Sequence, residues 1–136
     1  MSAYLYVITP FLAWLVAGVL KFCVNSIRAG KLAFGLIGYG GLPSNHSAIV
    51  TSMVAAIGAR EGVAHPAFGV ALTLAFIVML DASSLRRQIG KQAQAVNALA
   101  KAPLLRERIG HTPVEIAAGI VVGSAVGLAA ARLLAP

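Results

Sequence analysis

Four mostly apolar stretches dominate the chain, and its charged residues are concentrated between them. The stretches cover about residues 4–20, 44–59, 66–80 and 113–134. A helix needs roughly 20 apolar residues to cross the hydrocarbon core of a bilayer, because each residue adds about 1.5 Å of length. The second stretch is shorter and carries hydroxyl residues in its first turns, so we expect it to pack inside a helix bundle.

Prolines and polar residues indicate where the predicted helices begin and how far they extend. Pro66 and Pro113 suit the first position of a helix, where a missing backbone N–H group breaks no hydrogen bond. We expect the first helix to continue toward Arg28, and the third to continue as a polar helix from Asp81 toward Ala100. The pattern predicts an all-α integral membrane bundle of about four transmembrane helices, with a polar helical extension after the third.

The composition favours a membrane protein over an ordinary soluble domain. Hydrophobic residues make up 59% of the chain and charged residues 11%, and the mean hydropathy is +0.86. At 136 residues we expect a single domain spanning residues 1–136. The formal net charge is +7. Because the basic residues lie between apolar stretches, this charge fits anionic lipid headgroups or phosphate substrates better than nucleic acid.

The basic residues are distributed unequally between the two sides of the predicted bundle. Nine of them lie in or beside the first and third connections, which share one side: Lys21, Arg28, Lys31, Arg86, Arg87, Lys91, Lys101, Arg106 and Arg108. The other side has Arg60 and Arg132. Because short cytoplasmic loops carry an excess of Lys and Arg, the asymmetry predicts a cytoplasmic position for the first and third connections, with both termini outside.

A glycine stripe follows one face of the last predicted helix. Gly119, Gly123 and Gly127 recur every four residues, a spacing that lets the backbone of another helix approach closely. Four spans enclose little volume, and the stripe favours self-association. We therefore expect a homodimer, the commonest symmetric assembly.

Candidate phosphate-binding groups converge on the basic side. Lys21 and Arg28 lie at positions i and i+7, which places them on one face of the first helix. The second helix begins within residues 43–47, where unpaired backbone N–H groups and the helix dipole favour a bound phosphate. Arg86 and Arg87 follow the third span, where their guanidinium groups could clamp phosphate oxygens. Scattered polar residues would divide between both sides, so the convergence indicates one site.

Two histidines and a carboxylate lie on the same side. His46 is in the first turn of the second helix, and His111 precedes Glu115 by four residues at the entry to the last helix. The i, i+4 spacing lets the carboxylate reach an imidazole N–H group and orient the ring. With cations nearby, one imidazole could attack phosphorus while the other protonates the leaving oxygen. This chemistry predicts no metal and no cofactor.

At this point the motifs resemble a known superfamily. Lys21-x6-Arg28, Pro43-Ser44-Asn45-His46 and a later arginine followed by His111-x3-Glu115 are similar to the three signatures of the type 2 phosphatidic acid phosphatase superfamily. That superfamily includes the vanadium-dependent haloperoxidases. The stretch from Gly40 to Glu115 more closely resembles its small divergent branch from bacteria and plants. The resemblance covers nearly the whole chain.

The resemblance implies a role for each motif residue. Phosphate would be bound by Lys21, Arg28 and an arginine of the third motif, and Ser44 with the Asn45 backbone N–H group would complete the cradle. His46 would be the general acid and His111 the nucleophile that forms a phosphohistidine. Glu115 would orient His111.

The chain departs from the superfamily pattern at three points. Asn45 stands where the superfamily usually has glycine, and Glu115 replaces the usual aspartate. The compact spacing between the third-motif arginine and the histidine is absent. Arg87 or Arg86 must then supply the guanidinium group across a long insertion, or Arg108 must supply it from three residues before the histidine.

Several candidate residues also have a simpler structural interpretation. Lys21 and Arg28 could be flanking residues whose side chains extend to lipid headgroups. The basic residues after the third span could form a solvated helix that binds anionic lipid. His46 could cap its own helix, and His111 with Glu115 could be a buried structural pair.

The combined reading predicts a metal-independent lipid phosphate phosphatase in a bacterial inner membrane, with its site at the cytoplasmic face. Phosphatidate, phosphatidylglycerol phosphate and isoprenyl phosphates are equally suitable substrates. A catalytically lapsed relative that binds phosphorylated lipids or serves membrane assembly is the alternative. A small anion transporter is disfavoured, because the cations lie at one boundary. Asp81 is expected to pair with a neighbouring arginine or with Lys21.

Overall fold

The computed structural model describes residues 4–36, 41–107 and 109–134, and most of them are helical. The helices are α1 (Leu5–Ala29), α2 (Asn45–Arg60), α3 (Pro66–Ser83), α4 (Leu85–Ala100) and α5 (Pro113–Leu133), with one 3₁₀ turn at Phe34–Leu36. No strand occurs among the described residues. The predicted all-α class is therefore confirmed.

Three of the described helices, α2, α3 and α5, begin at a residue whose side chain caps the first turn. The Ser44 side chain accepts a hydrogen bond from the Ser47 N–H group at 3.3 Å and so caps α2. Thr112 and Glu115 form a capping box at the start of α5. Pro66 and Pro113 occupy the first turns of α3 and α5, as their sequence positions predicted. The apolar stretches and prolines predicted these starts, and the caps give the local physical reason for them.

Three helical stretches of the described chain are long and apolar enough to cross a membrane: Leu5–Ala29, Pro66–Ala100 and Pro113–Leu133. The fourth predicted span, α2, has 16 residues and is therefore short for a bilayer. It packs against α1, α3 and α5, which places it inside the bundle as expected. The predicted polar extension exists as α4, but Ser84 separates it from α3.

The glycine stripe forms the contact between α2 and α5. A Cβ atom added at Gly123 would lie 2.2 Å from the Ala48 carbonyl oxygen, and one at Gly127 would lie 2.2 Å from the Ser52 carbonyl oxygen. The predicted close backbone approach is confirmed, and its partner is α2 of the same chain. Because the stripe is buried within the chain, it no longer supports self-association, and the homodimer stays a prediction without that argument.

The outer surface of the bundle is strongly apolar. Phe11, Val70 and Val121 have 68%, 71% and 69% of their surface exposed. Many other large hydrophobic side chains on α1, α3 and α5 are exposed in the same way. Such a continuous apolar surface is unfavourable in water and suits contact with lipid acyl chains.

Candidate active site

The site forms where the first turns of α2 and α5 meet the second half of α1. The Ser44 N–H group donates a hydrogen bond to the Glu115 carbonyl oxygen at 2.9 Å, which ties the two helix starts together. The rings of His46 and His111 consequently approach each other edge to face, with centroids 6.1 Å apart and an interplanar angle of 69°. Two histidines that are 65 positions apart in sequence thus share one site.

A cavity of about 820 Å³ opens beside the two histidines. Its polar lining consists of Lys21, Asn25, Asn45, His46, Arg86, Arg106 and His111. Its apolar lining includes Trp14, Leu15, Val19, Phe22, Phe34 and Ile49. The cavity therefore has a cationic, histidine-bearing part and an apolar part. Among the described residues, no group of three or more metal-binding side chains of the types His, Cys, Asp and Glu is close enough to hold a metal ion.

Arg86 connects an acidic residue to the first histidine. Its Nε atom donates a hydrogen bond to Asp81 Oδ2 at 2.7 Å, so the predicted pairing of Asp81 with a neighbouring arginine is confirmed. Its Nη1 atom lies 3.5 Å from His46 Nε2. Both members of the ion pair are about 30% exposed (30% and 31%), so the pair lies at the edge of the cavity, where Asp81 orients the guanidinium group.

His111 is almost fully buried, with 8% of its surface exposed. Its backbone N–H group donates to the Ala82 carbonyl oxygen at 3.2 Å, which fixes the residue against the end of α3. Burial lowers the pKa of His111 below its ordinary value of 6.5, the charge of Lys21 lowers it further, and the carboxylate of Glu115 opposes the shift. The imidazole is therefore neutral at pH 7, the form that a nucleophile requires.

Glu115 has a hydrogen bond different from the expected one. Its Oε2 atom accepts from the Thr112 N–H group at 2.8 Å, which completes the capping box. The Nδ1 atom of His111 is buried and has no hydrogen-bond partner among the described residues. The carboxylate thus acts on His111 through its charge in this structure, and its orienting role stays a prediction.

The two residues of the proposed cradle on α2 have different environments. Ser44 is completely buried, and its hydroxyl group caps the helix and accepts from the Ser47 hydroxyl group at 3.1 Å. It does not line the cavity, whereas Asn45 does. The Asn45 Oδ1 atom is buried without a hydrogen-bond partner among the described residues. Their phosphate-binding roles stay predictions, and the structure favours Asn45 over Ser44.

The candidate arginines separate into two groups. Arg28 and Arg87 are exposed and do not line the cavity, whereas Arg86 does. Arg108 lies outside the described residues. Arg106 lines the cavity although sequence reasoning did not select it. Its position in the loop before His111 was the available signal, because the superfamily's third motif has its arginine shortly before the histidine.

A comparison with protein-family models identifies the family to which the chain belongs. A family model described as the Divergent PAP2 family, a branch of the type 2 phosphatidic acid phosphatases, matches residues 3–126. The chain belongs to this family. The resemblance found in the sequence motifs is therefore confirmed over nearly the whole chain.

A curated relative supports the membrane assignment of this family member. The chain is 31% identical over 128 residues to the uncharacterized membrane protein YuiD of Bacillus subtilis (strain 168). The alignment covers 79% of this chain and 81% of the relative. No solved structure matches the chain. The comparisons thus establish that the chain is a membrane protein of this family, and the reaction must be argued from the site.

Proposed function

We propose that this protein is a membrane-embedded phosphatase that hydrolyses a phosphorylated lipid through a phosphohistidine intermediate on His111. The observation that carries the proposal is the pairing of two histidine rings, 6.1 Å apart, beside a cavity lined by cations. Covalent phosphoryl transfer needs a neutral imidazole, a proton donor and positive charge at the phosphate. His111, His46 and the cavity cations are suited to these three requirements.

In the first proposed step, a ring nitrogen of His111 attacks phosphorus and the bond from phosphorus to the lipid oxygen breaks. His46 donates its proton to that oxygen, which leaves as a neutral alcohol or as a lipid monophosphate. Burial, and then the charges of Arg86 and Lys21, lower the pKa of His46 below 6.5. In the proposed step the negative charge of the bound phosphate opposes that shift and favours the protonated ring. The products of this step are the released lipid and a phosphohistidine.

In the second proposed step, water attacks the phosphorus of the phosphohistidine and the bond from nitrogen to phosphorus breaks. His46, now neutral, accepts a proton from the water, so the general acid of one step is the general base of the next. Inorganic phosphate leaves and both histidines return to their starting forms. The complete reaction consumes one water and one lipid phosphate or diphosphate, and it releases inorganic phosphate with the lipid alcohol or the lipid monophosphate.

The cations supply the electrostatic part of the proposal. Lys21 and Arg86 line the cavity beside the histidines, and both their charges act on His111. Fixed positive charges stabilise the developing charge on the transferring phosphoryl group without rearranging during the reaction. The proposal therefore uses charge from side chains where other phosphatases use metal ions.

The apolar part of the cavity supports a lipid as the substrate. Trp14, Leu15 and Val19 line it, and each has more than half of its surface exposed. Trp14 lies seven residues before Lys21 on α1, a distance of about 10 Å along the helix. A phosphate held near Lys21 would thus leave its acyl or isoprenyl chain beside an apolar groove. We propose that the headgroup enters from the cytoplasmic face of a bacterial inner membrane, as the loop charges favour.

The decisive experiment is phosphate release by the purified full chain in detergent with EDTA present. The substrates are phosphatidate, phosphatidylglycerol phosphate and an isoprenyl phosphate, with glycerol phosphate as the matched compound lacking a chain. We expect release from at least one lipid and little from glycerol phosphate. His111→Ala should abolish release, while His65→Ala, at an exposed histidine outside the cavity, should retain it. Activity of His111→Ala equal to that of the unmodified protein would reject the nucleophile assignment.

A catalytically lapsed lipid-binding protein is the second candidate. It is favoured by the Glu115 carboxylate, which caps α5, and by the Nδ1 atom of His111, which has no hydrogen-bond partner within the described part of the chain. Asn45 in place of the usual glycine points in the same direction. This candidate predicts binding of the protein to phosphatidate in nanodiscs with no phosphate release from any lipid. The same substrate panel therefore distinguishes the two functions.

A further inference from the structure

The segment between α4 and α5 returns along α4 toward the bundle and brings Arg106 to the cavity. This return loop is described for residues 101–107 and 109–112. Its later residues contact progressively earlier parts of the preceding helices: Leu105 contacts Asn97, and His111 contacts Ala82. The loop thus lies antiparallel to α4, and Arg106 lies between two fixed points.

Asn97 is the first of these fixed points. Its Oδ1 atom accepts a hydrogen bond from the Leu105 N–H group, and its Nδ2 atom donates to the Leu105 carbonyl oxygen, both at 2.8 Å. Nδ2 also donates to Glu107 Oε1 at 2.8 Å. One amide therefore binds the residues on both sides of Arg106. Asn97 is 7% exposed, so these bonds form away from competing water.

Glycines form the second fixed point. A Cβ atom added at Gly90 would lie 2.6 Å from the Glu107 carbonyl oxygen, so the helix lets the loop backbone approach closely. Gly110 has a φ of +97°, which residues with a side chain rarely adopt, and this turn leads directly into His111. The loop between Asn97 and His111 is thus held closely against the helices before it reaches the nucleophile.

From this geometry we infer that Arg106 is a phosphate-binding arginine of the site and that Asn97 is the residue that positions it. The inference rests on the proposed phosphatase function. Arg106 lines the cavity with Lys21 and Arg86, whereas Arg28 and Arg87 do not. Asp81 offsets part of the charge of Arg86. A phosphate dianion needs more than one cation, and Arg106 supplies one from a segment separate from α1 and α4.

The long segment between Arg86 and His111 lets the loop bring a second arginine to the cavity. The superfamily has its third-motif arginine close to the histidine, whereas here α4 and the return loop separate Arg86 from His111. Asn97 and Gly90 of α4 hold the loop against the helix, and Arg106, five positions before His111, therefore reaches the cavity.

The first test measures binding of inorganic phosphate to the full chain in detergent micelles by isothermal titration calorimetry. Arg106→Gln should weaken binding by about tenfold or more, because it removes a charge-assisted hydrogen bond to phosphate. Arg106→Lys should retain part of the affinity. Arg132→Gln, which removes an equal charge at the far end of α5, should bind within about twofold of the unmodified protein, as expected for a distant site.

The outcomes separate this inference from the proposed function. Arg106→Gln protein that is folded by circular dichroism and binds phosphate as tightly as the unmodified protein would overturn the inference, as would an unmodified protein that binds no phosphate. If the unmodified protein binds phosphate and Arg106→Gln does not, but no lipid is hydrolysed, Arg106 is supported and the phosphatase proposal fails.

The second test asks whether Asn97 acts through Arg106. Asn97→Ala should raise KM for the lipid substrate with a smaller effect on kcat, and it should have little further effect in the Arg106→Gln background. Gln94→Ala, at an exposed position on α4, is the matched control and should behave like the unmodified protein. Equal losses from Asn97→Ala in both backgrounds would show a general structural role and would reject the positioning assignment.

Discussion

The α2–α5 pair and the pair formed by α4 with the return loop both bring polar groups to one cavity, but different contacts hold them together. In the first pair, glycines let backbone meet backbone, and the interface contains small buried residues such as Ala48 and Ser52. In the second pair, Gly90 also lets the loop backbone approach α4, but the hydrogen bonds come from the side chain of one buried asparagine, Asn97, and the residues held there, 103–107, are exposed.

This difference matches the chemistry that each pair supplies. His46 lies in the first turn of α2, and His111 lies at the end of the return loop, directly before α5. The first pair therefore fixes their relative position, which a covalent step requires to be accurate. Arg106 comes from the second pair and Arg86 from the first turn of α4, where long flexible side chains can adapt to different lipid phosphates. Close packing places the reacting groups, and polar contacts place the charge. The following predictions test that division.

Of these predictions, the largest effect is the loss of kcat expected from a change at His46, the catalytic residue on α2. His46→Ala should lower kcat by about 10²–10⁴-fold on a lipid alkyl phosphate, because the leaving alkoxide loses its proton donor. On an aryl phosphate, whose leaving group needs no proton, the loss should be much smaller. Steady-state kinetics with both substrates measures the ratio. Equal losses on the two substrates would mean that His46 does not act as the general acid.

The next largest effect is a loss of stability expected from a change in the α2–α5 contact. Gly123→Ala should lower the free energy of unfolding by at least about 2 kcal/mol, because the new methyl group would collide with the Ala48 carbonyl oxygen. Gly69→Ala is the matched control, since a Cβ atom there meets no atom within 4 Å. It should be neutral or slightly stabilising in a helix. Thermal unfolding in detergent compares them, and equal melting temperatures would contradict the close packing.

The smallest effect is the electrostatic coupling between α1 and the nucleophile. Since burial and Lys21 lower the pKa of His111 below 6.5, its imidazole should stay neutral as the pH falls through 6.5 and gain a proton only below that value. The folded state therefore loses stability relative to the unfolded chain as the pH falls from 6.5 toward the folded-state pKa.

Removal of the Lys21 charge tests this coupling directly. Lys21→Met should move the His111 titration upward, toward 6.5, while Lys31→Met, at an exposed position outside the cavity, should leave it unchanged. Nuclear magnetic resonance of histidine-labelled protein follows the ring directly. A His111 titration at or above 6.5 in the unmodified protein would refute the coupling.

Much of this architecture follows from local sequence. The apolar stretches, Pro66 and Pro113 located the helices, and the structure adds the cap at Ser44 and the Thr112–Glu115 capping box as local reasons for two of the helix starts. The order of the motifs was sufficient to identify the family. The glycine spacing correctly indicated a close helix contact, since a stripe at every fourth residue lies on one face of a helix.

Tertiary structure decided which groups meet. Sequence spacing suggested that the glycine stripe serves a second copy and that Glu115 reaches His111, but the stripe packs on α2 and the carboxylate caps α5. It also placed Arg106 at the cavity, through Asn97 and Gly90, in preference to Arg28 and Arg87. These outcomes depend on contacts between residues distant in sequence and on competition for one hydrogen-bond acceptor, and neither is encoded in the spacing of a motif.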